Sequence, residues 1–291
     1  MASDFETQVR ATNDKINART GRPLGMAIVV GLIMGLALIF SLIVLKPFFM
    51  VFAAALIGFT AYELASALKL AGRDVPRIPT IIAAVAVVPA AFLWLAPGHW
   101  FATLGGIAFL SIWRIIELVR PSARTTAKNV LLDLAAGAFI MVYIAFMGAF
   151  TVLLTAHDGG QWWTLAFLIV VVSVDLGAYS TGVAFGKHPM APVISPKKTW
   201  EGFAGSVVAA VLAGVLTAIF MLQQPWWVGV ILGLVMVATA TSGDLTESLI
   251  KRDLGIKDIS SFLPGHGGFL DRVDSSLLSA AAAFALFLIF R

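Results

Sequence analysis

Residues 24–45, LGMAIVVGLIMGLALIFSLIVL, contain no charged side chain and no proline. A helix needs about 20 mainly apolar residues to cross the hydrocarbon core of a bilayer, and this stretch supplies them. Working outward from it, cuts at charge clusters and Pro/Gly turns leave eight more stretches of the same kind: 48–68, 78–96, 100–119, 130–155, 162–184, 203–222, 226–250 and 273–290. The composition agrees, since 59% of the 291 residues are hydrophobic and 12% charged, against roughly a quarter charged in a soluble domain. So much apolar side chain cannot be hidden inside a globule in water. A soluble enzyme and a disordered chain are both excluded. The expected fold is an all-α, polytopic integral membrane helix bundle of about nine transmembrane helices, with the first retained as an anchor because it is too long for a cleaved signal peptide.

Orientation follows from the basic residues, which collect at cytoplasmic ends. Arg10, Lys15, Arg19 and Arg22 lie before the first stretch, and Lys69, Arg73 and Arg77 lie between the second and third. Arg114, Arg120, Arg124 and Lys128 flank the next even-numbered gap, followed by Lys187, Lys197 and Lys198, and then Lys251, Arg252, Lys257 and Arg272. Only Lys46 and Arg291 fall on the other side, where the connections read KP, APGHW, AHDGGQ and QQP. The expected N-terminus is cytoplasmic, and residues 1–23 form a cytoplasmic tail. The net charge of +4 is thereby explained by topology, and no nucleic-acid partner is needed. The chain has no cysteine, so a metal would be held by oxygen or imidazole.

Charged side chains inside a span cost on the order of 3 kcal/mol each and usually face a bundle interior or a wet cavity. Arg114 and Glu117, three apart, read as a local ion pair. Glu63 and Asp133, near cytoplasmic span ends, read as snorkelling or structural groups. Asp175 lies deeper, in VVSVDLGAYSTGVAFGKH (171–188), among glycines that permit close helix approach. The following PVISPKKTWEG (192–202) puts Ser195, Lys197, Lys198 and Thr199 in a loop that ends at a helix start. Hydroxyls, ammonium groups and free helix N–H groups suit phosphate oxygens, although a lysine pair in such a loop is also what topology alone produces.

The segment 242–275, SGDLTESLIKRDLGIKDISSFLPGHGGFLDRVDS, is far denser in charge than the rest. Asp244, Glu247 and Lys251 are spaced three and four apart, so one helix face carries them; Asp271 and Asp274 share a face at the next helix start. Two helices thus present carboxylates beside a turn containing Gly265, Gly267 and Gly268, whose backbone N–H groups can turn toward an anion. Paired carboxylates suit Mg²⁺, which one or two acidic groups bind together with substrate phosphates. Basic residues between them would hold remaining phosphate charge. His266 would orient a phosphate or simply bond the turn. A solvated loop with helix-end ion pairs explains the charge, but not the helical spacing together with the glycines.

The motif S-L-I-K-R-x4-K-D-x-S-x2-L-P-G-H-G-G-F-L-D-R-V-D, from Ser248 to Asp274, resembles the signature of the phosphatidate cytidylyltransferase (CDP-diacylglycerol synthase) family. GDLTES, SPKKTWEG and D-x-x-A-Y-x-x-G from Asp175 to Gly182 are similar to the same family, so the resemblance covers about the C-terminal 120 residues. Ser180 and Val183 depart from it, standing where the family often has an aromatic and a basic residue. The resemblance implies a membrane-embedded homodimer with a funnel-like cavity open to cytoplasm and lipid. It implies an N-terminal transmembrane part (24–160) and a C-terminal catalytic part (161–291). The implied reaction joins CTP and phosphatidic acid into CDP-diacylglycerol and pyrophosphate, with Mg²⁺ and a monovalent cation such as K⁺. Asp244 and Asp271 would be the metal ligands.

In this reading Lys251, Arg252 and Lys257 neutralise the leaving pyrophosphate. Ser195, Lys197, Lys198 and Thr199, with His266, Gly267, Gly268 and Arg272, contact lipid phosphate or nucleotide, and Asp175 joins the catalytic set. Glu247 would hold water on the metal or pair with Lys251, and Asp274 would support the ligands or pair with Arg272. The expected location is the inner (plasma) membrane with the active site facing cytoplasm. Two rivals stand. An ion-coupled transporter would place its carboxylates in broken helices near the midplane, usually in duplicated halves, and no duplication is visible. A CTP-dependent enzyme acting on another lipid phosphate is the second.

Overall fold

The computed structural model describes residues 24–119, 126–256, 259–260, 262 and 267–291, with side chains from residue 31 onward. Lys257 and His266, the tail 1–23, and Arg120 and Arg124 lie outside the described residues. The chain is helical almost throughout: α1 Leu24–Ile43, α2 Lys46–Leu70, α3 Arg77–Leu118, α4 Ala127–Ala156, α5 Gly160–Phe185, α6 Trp200–Phe220, α7 Trp226–Asp253 and α8 Leu270–Phe290. Among the described residues seven helices, α2 to α8, are long and apolar enough to cross a membrane. The architecture is an all-α, multi-pass bundle.

Local chemistry sets the ends. Pro47 occupies the first turn of α2, where its missing N–H costs nothing, and Gly72, at φ +82°, turns the chain after the helix. The Thr126 hydroxyl caps α4 by accepting from the Asn129 N–H at 3.3 Å.

Helix α3 is 42 residues long, about 63 Å if straight and twice a hydrocarbon core. It reverses instead at Leu95, whose φ is 53°. Gly98 packs directly on the Ala90 carbonyl, and Gly106 lies against the Ala83 side chain, so the arms 77–94 and 96–118 run antiparallel. Helix α4 contains a π-helical stretch, Met141–Phe146, that carries Tyr143, and nothing in the sequence pattern anticipated it.

Buried side chains fall into two clusters. One joins α1–α4 with Leu270 and Leu277 of α8. The other joins Leu154, at the end of α4, with α5–α8. The closest contacts in the second half are made over glycine, as expected where lipid supplies no hydrophobic drive and packing must. Gly177 and Gly205 bring α5 onto α6, Gly214 and Gly229 bring α6 onto α7, and Gly243 brings α7 onto α8.

Two elements depart from the sequence reading. The segment after α5 is a small antiparallel hairpin, β1 Pro189–Ala191 and β2 Ser195–Thr199, pairing Pro189 with Thr199 and Ala191 with Ser195. Arg114 is more than half of a local pair. Its Nε and Nη2 donate to Asp133 Oδ2 at 3.1 and 2.7 Å, and its Nη1 meets Asp74 at 2.9 Å and Glu117 at 3.4 Å. Asp133 also accepts from the Asp74 N–H at 2.9 Å. This buried cluster ties α3, α4 and the 71–76 turn together, and it assigns Asp133 a structural role.

Candidate active site

The C-terminal ends of α5 and α7, the hairpin, and the starts of α6 and α8 enclose a cavity of about 530 Å³. Asp175 and Tyr179 come from α5, and Ser195, Lys197, Lys198 and Thr199 from β2. Asp244, Glu247 and Lys251 come from α7, and Asp271, Arg272 and Asp274 from α8. The i, i+3, i+7 spacing on α7 and the i, i+3 spacing on α8 therefore point inward, as helical periodicity requires. Gly243 is what brings the two helices to each other: a Cβ there would stand 2.4 Å from the Asp274 carbonyl oxygen. Without that contact Asp244 and Asp274 would sit farther apart.

Charges alternate in a specific way. The Lys198 ammonium meets Asp244 Oδ2 at 2.5 Å. The Lys251 ammonium lies between Glu247 Oε2 at 2.6 Å and Asp271 Oδ1 at 2.9 Å. The Gly268 N–H donates to Asp271 Oδ2 at 2.8 Å, so this glycine fixes the carboxylate and its N–H is not directed at the cavity. The Thr199 hydroxyl lines the cavity and also accepts from the Gly202 N–H at 3.1 Å, capping α6. Asp274 Oδ1 accepts from the Ser275 N–H at 2.7 Å. Arg252 is placed apart from the cavity lining, with Nε donating to the Ile194 carbonyl at 3.3 Å. Gly267, at φ +81°, shapes the turn before α8.

Glu63, which the sequence reads as snorkelling or structural, is structural. It is 3% exposed on α2, yet its Oε1 accepts from the Ser260 hydroxyl at 2.5 Å and its Oε2 from the Leu270 N–H at 3.0 Å. A carboxylate from the second helix thus anchors the entry to α8, one residue before Asp271. An isolated acidic residue in an apolar span was the available signal; its partners, 197 and 207 residues away, were not.

Five carboxylates and four cationic side chains line the cavity. With all of them ionised the lining carries one more negative than positive charge, so it would need added positive charge to hold an anion. Among the described residues no group of three or more acidic or imidazole side chains is arranged to hold a metal by itself. Mg²⁺ commonly takes one or two carboxylates and completes its shell with water and substrate phosphates, and the all-oxygen donors here fit that pattern. Among the described residues Glu247 Oε1 is buried with no hydrogen-bond partner, an acceptor with lone pairs left over.

Among the described residues, four apolar helices and a hairpin thus share a chamber lined by charged side chains. The comparisons make the class specific. The chain belongs to the cytidylyltransferase family, whose profile matches residues 26–290. It is 40% identical over 272 residues to the phosphatidate cytidylyltransferase of Mycobacterium bovis (strain ATCC BAA-935 / AF2122/97), covering 92% of this chain and 89% of that one. It is 38% identical over 285 residues to that of Mycobacterium leprae (strain TN), covering 94% and 90%. The enzyme of Brucella suis biovar 1 (strain 1330) is 42% identical over 154 residues, covering 53% and 56%. The chain is a nucleotidyl-transferring enzyme, which sets the transporter reading aside.

Proposed function

We propose that this protein transfers cytidylate from CTP to phosphatidic acid, giving CDP-diacylglycerol and pyrophosphate for phospholipid synthesis. The observation that carries the reading is the pairing of near full-length similarity to phosphatidate cytidylyltransferases with one cavity that gathers Asp175, Lys198, Asp244, Lys251 and Asp271.

An oxygen of the lipid phosphate attacks the α-phosphorus of CTP, and the bond from that phosphorus to the β-bridging oxygen breaks. Pyrophosphate leaves with the electron pair. The attacking phosphate is already anionic at neutral pH, so no strong base is required; repulsion between anions is the barrier. Nucleotidyl transfer is accelerated mainly by positioning and by fixed positive charge. Lys251 and Lys198 supply that charge, Lys251 held by Glu247 and Asp271 and Lys198 by Asp244. Ser195, Lys197 and Thr199 on the hairpin, with Arg272, bind phosphate oxygens. Arg252 and Lys257 are assigned to the pyrophosphate side, where Arg252 must leave the Ile194 carbonyl to reach it. Asp244 and Asp271 would hold Mg²⁺, with K⁺ as a second cation, and the bound ion supplies neutralisation of the triphosphate.

Counting the two arms of α3 separately, and α1 as a span, gives nine crossings, with the N-terminus on the cytoplasmic side of the plasma membrane and the charged chamber facing the cytoplasm. The distribution of lysine and arginine supports this. Because the chain has no native cysteine, an impermeant thiol reagent on intact cells should label Gln224→Cys and spare Arg73→Cys; the reverse pattern would overturn the orientation. A homodimer completes the proposal and is checked by cross-linking in membranes.

The deciding experiment incubates purified protein with radiolabelled CTP, phosphatidic acid and Mg²⁺, and identifies the organic-phase product by mass spectrometry. CDP-diacylglycerol is expected, and its absence refutes the activity. Asp271→Asn and Asp244→Asn should each lose at least about 100-fold in kcat, in line with removal of a major electrostatic group. Robust product from Asp271→Asn would refute its assignment to the metal.

A further inference from the structure

A second cavity, of about 590 Å³, adjoins the polar chamber and shares one lining residue with it, Arg272. Its walls come from α1, α2, α4, α5 and α8 and are almost wholly apolar, among them Met34, Leu38, Phe52, Ile144 and Leu168. Along α2 it extends from Thr60 to Phe49, about 16 Å of axis at 1.5 Å per residue. That is close to half of a hydrocarbon core about 30 Å thick, and along α2 it is the half nearer Lys46. A methylene group is comparable in size to a water molecule, roughly 30 Å³, so the cavity takes on the order of twenty such groups. That is the size of one long acyl chain.

We propose that this cavity receives one acyl chain of the lipid substrate. The lipid phosphate meets Arg272 where the two cavities join, and the second chain stays in the surrounding bilayer. The proposal rests on the phosphatidate reading above and deepens it. Its ground is the junction: an apolar slot about 16 Å long meets the carboxylate–lysine chamber at Arg272, and an arginine is the side chain best shaped for phosphate oxygens. It gives α1 and α2 a function that no motif assigns them, since they wall the slot that positions the phosphate end.

The test compares wild type with Gly35→Trp. A Cβ at Gly35 meets nothing within 4 Å, so the indole enters the slot without a backbone clash. The ratio of kcat/KM for dipalmitoyl over dihexanoyl phosphatidate should fall at least tenfold in the variant; an unchanged ratio overturns the proposal. Wild-type protein provides the second arm, with phosphatidic acid that carries a diazirine at the end of one chain. Cross-links to residues 31–57 are expected, reduced by unlabelled phosphatidate. Cross-links confined to other helices, or equal labelling by a diazirine diacylglycerol lacking the phosphate, would overturn it, the latter by identifying a structural lipid. A wild type that cytidylates no phosphatidate of any length would sink the functional reading instead, while the cross-link still decides the occupant of the slot.

Discussion

Replacing Gly243 with alanine puts one methyl group between the two helices that carry the acidic residues. The new Cβ would lie 2.4 Å from the Asp274 carbonyl oxygen, about 1 Å short of the 3.4 Å at which ordinary contact begins. A backbone oxygen inside a helix cannot swing aside, so α7 and α8 must part by about that amount. Overpacking of this kind costs about 1–3 kcal/mol, and the better helix propensity of alanine returns roughly 1 kcal/mol. Stability should therefore change little, with a thermal midpoint in detergent lower by a few degrees. Catalysis should suffer more, because a misplacement near 1 Å costs on the order of 100-fold in rate, and here it falls between Asp244 and Asp274. The assay is transfer of label from CTP into the organic phase, run beside Gly105→Ala, where a Cβ would meet nothing within 4 Å. Wild-type kcat in Gly243→Ala would refute the claim that this helix contact sets the chamber's geometry.

Other perturbations separate structure from chemistry. Arg114→Ala leaves Asp133, 5% exposed, without its cation and should cost about 3–5 kcal/mol, read as a large fall in thermal midpoint; a midpoint within a degree or two of wild type would contradict the buried network. Glu63→Ala strips the Leu270 N–H and the Ser260 hydroxyl of their acceptor, roughly 1–3 kcal/mol of local stability for each group left unpaired. Proteolysis between residues 256 and 267 should accelerate and kcat should drop, and unchanged cleavage would remove Glu63 from the positioning of Asp271. Asp175→Asn should lose at least about tenfold in kcat, whereas wild-type turnover would make Asp175 a packing residue of α5.

Much of the site was legible because its signals are local. Hydropathy over twenty residues, the three- and four-residue spacing of Asp244, Glu247 and Lys251, and the run from Ser248 to Asp274 need no knowledge of distant contacts. The partners were not legible. Lys198 could be read as a phosphate ligand, but not as the counter-ion of Asp244, 46 positions away. Arg114 was read with Glu117, its nearest neighbour of opposite charge on the same helix, whereas the shorter contacts are to Asp133 and Asp74. The hairpin from Pro189 to Thr199 escaped notice because two three- to five-residue strands joined by a tight turn carry too little periodicity to register.

By itself the sequence determined that lipid is the solvent, that charge gathers at one end of the bundle, and which acidic side chains share a helix face, because hydrophobic length and helical period are properties of short segments. Tertiary structure alone decided that α3 doubles back at Leu95, that Glu63 reaches across some 200 residues to hold the start of α8, and that Arg272 stands between a polar chamber and an apolar slot. These depend on how closely helices approach, which small residues permit but only the packed whole selects.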